Sequence, residues 1–206
     1  MALIQKDLVP GRGDQLLVLD DATGLEWLNL TVTANQSYLD VLAGFGRFIR
    51  RFGFRYATDA EVSTLYNHAG IRKLSGPHPS IDEATHYGIE VLQDLMNGKS
   101  MRPVTSPDSV SVDTAGMVAS GPSTPSSLTP VEVRQTHLNH AEPEKSYTDA
   151  GGMTQRAGDR SPRVGSYLVR AIVGRQSTGS GKRSTGSGKR STGSGKRSKR
   201  LGKRRR

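Results

Sequence analysis

The apolar positions of this chain fall into two well-patterned stretches, separated by a long polar middle. Residues 15–19, Gln-Leu-Leu-Val-Leu, form an apolar run bounded by Gly13-Asp14 and Asp20-Asp21, which predicts a buried strand. Thr23-Gly24 predicts a turn, and the alternation over 25–28 predicts the second strand of a hairpin. Ser37 followed by Asp40 resembles a capping box, with Asp in place of the usual Glu or Gln. From there Tyr38, Leu39, Val41, Leu42, Phe45 and Ile49 keep helical spacing to about Arg50, against the weakening effect of Gly44 and Gly46. Thr58 and Glu61 make a full capping box for a second helix, with Val62, Leu65 and Tyr66 as its stripe and Gly70 as its C-cap. Ser80 and Glu83 open a third helix. Its expected inner face is Ala84, Tyr87, Val91, Leu92 and Leu95, and Asn97-Gly98 ends it.

From 99 to 163 Ser, Thr, Pro, Gly and charged residues dominate, and long loops are expected, with short strands at 109–112 and 130–134. Order returns at 165–173, a strand expected to pair with the first hairpin, the other strong β signal. The expected architecture is α+β. A small antiparallel sheet joins N- and C-terminal strands, with two or three helices and a loop-rich insert (99–163) in a domain covering 1–174.

Charge changes the picture of the remainder. The chain is +10 overall, yet residues 175–206 hold thirteen Lys or Arg and no acid, which leaves sixteen bases against nineteen acids in the body. Within this tail Ser-Thr-Gly-Ser-Gly-Lys-Arg repeats unchanged at 177–183, 184–190 and 191–197. Leu201 is the one apolar side chain in the last thirty residues, so the tail is expected to be disordered on its own. No a or d position is apolar, so the seven-residue period is not that of a coiled coil. Cations at even spacing on a flexible strand suit nucleic acid, acidic polysaccharide or anionic lipid headgroups, held through counterion release. The candidate polyanion-binding residues are Lys182, Arg183, Lys189, Arg190, Lys196, Arg197, Lys199, Arg200, Lys203, Arg204, Arg205 and Arg206. No aromatic residue is interleaved, so base stacking is not offered. The Gly-Ser-Gly-Lys of each repeat is not a phosphate loop, because Arg follows each Gly-Lys and Gln176 occupies the place of the first glycine.

Candidate chemistry in the body is sparse. There is no cysteine, which excludes disulfides and thiolate metal sites, and no apolar run long enough to cross a membrane. The start, Met1 to Lys6, lacks a basic region followed by an apolar stretch, so no secretory leader is expected in it. His137 and His140, spaced i, i+3, could share a metal only on a helix, and solvated loop histidines are expected. His68 is expected to complement a helix dipole and His78 to lie in a turn. Asp14, Asp20 and Asp21 lack the EF-hand pattern. Arg12-Gly13-Asp14 and the glycosylation patterns at Asn29 and Asn35 are matches that chance supplies. Trp27 is expected as a core anchor. No catalytic, cofactor or metal residue is assigned.

Three pieces, in order, carry a resemblance. Asp20-Asp21-Ala22-Thr23-Gly24-Leu25-Glu26-Trp27-Leu28 resembles the Asp-x-x-Thr-Gly-Leu-x-Trp segment of a bacterial exported domain. The run from Phe52 through Arg55, Thr58 and Glu61 to Val62 resembles its Gly-Trp-Arg-x-(Ala/Pro)-Thr-x-x-Glu segment, with Phe54 in place of Trp. Gly165-Ser166-Tyr167-Leu168-Val169-Arg170 resembles its closing strand. That domain is common in PEP-CTERM proteins and is similar to the C-terminal domain of a Legionella collagen-like protein, of C-type-lectin-like fold. The resemblance covers 3–73 and 165–171, and Ala2-Leu3-Ile4 resembles a mature start after leader removal. It implies structural roles for Thr23, Gly24, Trp27, Arg55, Thr58 and Glu61. It also implies a non-enzymatic surface or extracellular binding module, with a glycan or protein ligand on the loops of 99–163. The competing expectation is a cytoplasmic or virion-associated nucleic-acid-binding protein that uses the tail. The Pro-Glu-Pro signal and membrane helix of PEP-CTERM proteins have no counterpart here, since no apolar segment follows Glu142-Pro143-Glu144.

Overall fold

The computed structural model describes residues 2–72, 83–97, 111–119, 125–139 and 146–172. The chain divides into two units, 1–175 and 176–206, and all described residues belong to the first. Ser80, His78, His140 and the tail cations lie outside them.

Along the chain come β1 (Leu3–Lys6), β2 (Leu17–Asp20) and β3 (Leu25–Leu28), then a 3-10 turn over Leu30–Thr33. These are followed by α1 (Tyr38–Ala43), a second 3-10 turn (Phe45–Arg47), α2 (Phe48–Phe52), β4 (Arg55–Tyr56), α3 (Asp59–His68) and α4 (Glu83–Asn97). The remainder is β5 (Ser111–Met117), β6 (Pro130–Asn139), β7 (Tyr147–Arg156), β8 (Val164–Ser166) and β9 (Leu168–Ala171). The strands make two sheets, ordered β1-β2-β3-β9-β4 and β7-β6-β5-β8. Every pairing is antiparallel except that of β8 with β5. The class is α+β, as expected, with four α-helices among the described residues in place of two or three.

The hairpin forms as its residues dictate. Val18 pairs with Trp27 across the ladder, and Gly24 takes φ +70°, its N–H donating to the Asp20 carbonyl at 2.8 Å. β1 extends this hairpin, although its exposed residues gave no pattern in the sequence. The C-terminal strand does close on it, Trp27 facing Val169. The continuous strand expected at 165–173, however, is two strands in two sheets. Tyr167 makes the switch: its N–H donates to the Met117 carbonyl at 2.9 Å, and its own carbonyl accepts from Ala57 at 2.8 Å. The nine residues of 165–173 cannot reveal such a division, because those on either side of Tyr167 are buried.

The loop-rich insert expected at 99–163 is also corrected, since β5, β6 and β7 of the second sheet lie in it. The expected strand at 109–112 becomes β5, reaching Met117, and that at 130–134 runs on to Asn139. Ala115, Met117, Val131 and Val133 join one core cluster, and Val118 and Leu138 join the other. The polar residues between them did not read as core. Yet Thr114, Arg134 and Thr136 are buried, and the Gln93 amide donates to Thr136 at 3.4 Å.

Two helices depart from their expected form. The segment from Tyr38 does not stay helical to Arg50: Gly44 (φ +115°) and Gly46 (φ +61°) break it into α1 and α2. The Ser37–Asp40 capping box is present, both backbone bonds made. In α4 the inner face is Thr85, Gly88, Ile89, Leu92, Gln93 and Met96, while Tyr87 is 65% exposed. Gly88 sets that rotation, because a Cβ there would stand 2.7 Å from the Ala69 carbonyl oxygen. The close crossing of α4 over the end of α3 therefore selects the glycine face, and the apolar residues at 87, 91 and 95 turn outward or sideways.

Candidate functional site

Trp27 is 1% exposed, edge-on to Tyr167 at 6.3 Å between ring centroids, and its indole N–H has no hydrogen-bond partner among the described residues. Tyr167 in turn shares a 3.0 Å hydroxyl–hydroxyl bond with Tyr66, and burial pushes its phenol up to about 12. These groups are sealed in the core and hold sheet to helix. Thr23 works locally, its hydroxyl donating to Asp20 at 2.7 Å beside Gly24.

The structure brings Arg55, Thr58 and Glu61 together at the start of α3. The Thr58 hydroxyl accepts from the Glu61 N–H at 3.2 Å, and the Glu61 carboxylate accepts from the Thr58 N–H at 2.9 Å. Arg55 reaches the same carboxylate with both guanidinium ends, at 2.8 and 2.6 Å. The Arg55 bonds, joined by those from Thr58 and opposed by partial burial, hold the Glu61 carboxyl down at about 2. The motif residues therefore build one strut between β4 and α3.

A neighbouring arginine was not anticipated. Arg134 of β6 is 3% exposed and bonds Asp59 of α3 through Nε, and Ser63 at 3.1 Å, with Glu132 at 3.6 Å. Its Nη1 has no partner among the described residues. In the sequence Arg134 merely closes a short strand pattern, and a partner 75 residues away leaves no local signal.

The other candidate ligands are consumed by the fold. Asp20 accepts from Thr23 and Ala22 and lies 2.8 Å from His68 Nδ1. Burial alone would raise its pKa, but these bonds prevail and hold the carboxyl below its ordinary value. His68 thus meets a buried carboxylate as well as a helix end. Asp14 accepts from the N–H groups of Leu8 and Val9, and Asn29 is buried, accepting from Thr31. His137 lies on β6, 2.7 Å from Asp113, and is neither helical nor a loop residue. Among the described residues no group of three His, Asp or Glu is placed to hold a metal, and no helix is long and apolar enough to cross a membrane.

Five cations of the body are paired among the described residues. Lys6 and Arg170 both meet Glu26, Arg55 meets Glu61, Arg134 meets Asp59, and Arg160 meets Asp40. Among the cations with no ion pair to a described residue, Arg47, Arg50 and Arg51 are set apart by clustering: all three are exposed and lie within five residues of one another. Exposed Leu42 and Phe45 precede them. The signal that could have found this patch is residues 41–58, four arginines with no acid, in a body with more acids than bases. No family model, no curated protein and no solved structure matches the chain.

Proposed function

We propose that the protein is a non-enzymatic binding module whose cationic tail holds polyanions, carried on a C-type-lectin-like α+β body of bacterial surface or extracellular type. The observation that carries this reading is the separation of charge. Thirteen cations with no acid follow a body whose acids outnumber its bases. The lectin-like part is supported by the closing of β9 on the N-terminal hairpin and by the second sheet drawn from the middle of the chain. A glycan or protein ligand of the body belongs on the connections of 99–163, since the strands of that segment turn buried side chains into the core.

Changing every Lys and Arg from 182 to 206 to Gln should abolish binding to duplex DNA, single-stranded RNA and heparin-like polymers. Shuffling the repeat order should leave binding intact, because counterion release depends on charge density and not on register. Persistence of binding in the Gln variant would overturn the assignment to the tail. The same tail supports a second reading, a cytoplasmic or virion-associated nucleic-acid-binding protein. A glycan array and an envelope pull-down with the body truncated after Gly174 separate the two. Retention of a surface polymer or protein favours the first, and no retention favours the second.

A further inference from the structure

The turn between α1 and α2 combines unpaired charge with exposed apolar side chains. Residues 41–58 contain Arg47, Arg50, Arg51 and Arg55 and no acid. The flanking acids are engaged, Asp40 by Arg160 and Asp59 by Arg134, and Arg55 is engaged by Glu61. Arg47, Arg50 and Arg51 therefore face solvent without compensation among the described residues. Leu42 and Phe45 lie beside them, 39% and 38% exposed.

Backbone geometry holds these groups out. Gly44, Gly46 and Arg47 all take positive φ, at 115°, 61° and 58°. The Phe48 ring lies so close to Gly46 that a Cβ there would meet it at 2.0 Å. Phe48 thus plugs the core while Phe45, on the other side of the glycine, is 38% exposed with its ring tilted against that of Phe48 at 6.4 Å.

The geometry points to this turn, 42–51, as a docking surface for a bilayer rich in anionic lipid. Guanidinium groups meet headgroup phosphates in bidentate fashion, and Leu42 and Phe45 enter the boundary between headgroup and acyl chain. Lipid is favoured over single-stranded nucleic acid by which side chains are out. A stacking platform needs a series of open aromatic faces. Here Phe48 and Phe54 are buried, and Phe52 is half-buried with the Arg51 guanidinium 5.4 Å from its centroid. Exposed Leu42 has no part in base stacking but a direct one in lipid.

The absence of cysteine supplies the test. Ala43→Cys places a single thiol on an exposed position of the patch in the full chain, for a polarity-sensitive fluorophore. Vesicles of phosphatidylcholine with roughly a third phosphatidylglycerol should shift its emission to the blue, and phosphatidylcholine alone should not. Leu42→Ser with Phe45→Ser should weaken the partition of the labelled chain about tenfold, since the insertion is lost while the tail's charge remains. Arg47→Gln, Arg50→Gln and Arg51→Gln together should also weaken it, and either variant suffices should the other misfold. Neutralising the tail should leave the shift in place at higher lipid. Vesicle binding with no shift at position 43 would assign membrane contact to the tail and overturn the proposal. So would no response at any lipid concentration, or a shift produced by single-stranded DNA and not by vesicles.

Discussion

Individual side chains decide this protein's stability where the core is continuous across sheets and helices. Trp27 ties the N-terminal hairpin to β9 in one place, pairing with Val18 and Val169 and meeting Tyr167 edge-on. Trp27→Ala should cost about 3–5 kcal/mol in denaturant unfolding. Trp27→Phe should cost clearly less, because it also removes an indole N–H without a partner among the described residues. A stable Trp27→Ala variant that loses only ligand binding would make Trp27 a binding platform instead. Arg134 gives a contrasting case. Asp59→Ala should destabilise by about 2 kcal/mol, less than for a fully buried pair because Glu132 remains at 3.6 Å. Arg134→Met should be close to neutral, since it removes the guanidinium together with its desolvation cost. Equal losses in the two variants would show that the pair itself is strongly net stabilising. Trp27 was legible in the sequence because a lone Trp on an alternating strand has few other uses. Arg134 was not, because its burial is created by pairing across a distance of 75 residues.

At the scale of elements, local chemistry was legible and long-range placement was not. Both capping boxes and the Gly24 turn are settled within a few residues and form as expected. The split of 164–171 between sheets, the face of α4 and the sheet inside 99–163 depend on partners elsewhere in the chain, so period and polarity misdirect. Thr58→Ala should cost about 1 kcal/mol, and combination with Glu61→Ala should be less than additive, because one box is broken twice. Full additivity would mean the two residues act separately. The same strut gives a pH dependence. Glu61 titrates at about 2 in the fold against an ordinary 4.5, so its contribution is complete above about pH 4.5 and is lost as pH falls toward 2. Asp40, held low chiefly by Arg160, acts in the same direction. The fall in stability over that window should be shallower in Glu61→Gln, and an unchanged slope would remove Glu61 from the linkage.

On the scale of the whole molecule, the α+β body was legible in outline and the tail only as chemistry. Deleting residues after Gly174 should move the melting temperature by no more than about 1–2 °C, because the tail offers Leu201 alone as an apolar side chain. A large drop would show that the tail docks on the body. The most direct test of the account is the salt dependence of duplex DNA binding by the full chain and by the body ending at Gly174. Binding by the full chain should fall linearly on a log–log scale between about 50 and 200 mM salt, alike for unrelated sequences, with none by the body. A preference of more than roughly tenfold for one sequence at physiological salt, or binding by the body alone, would contradict it.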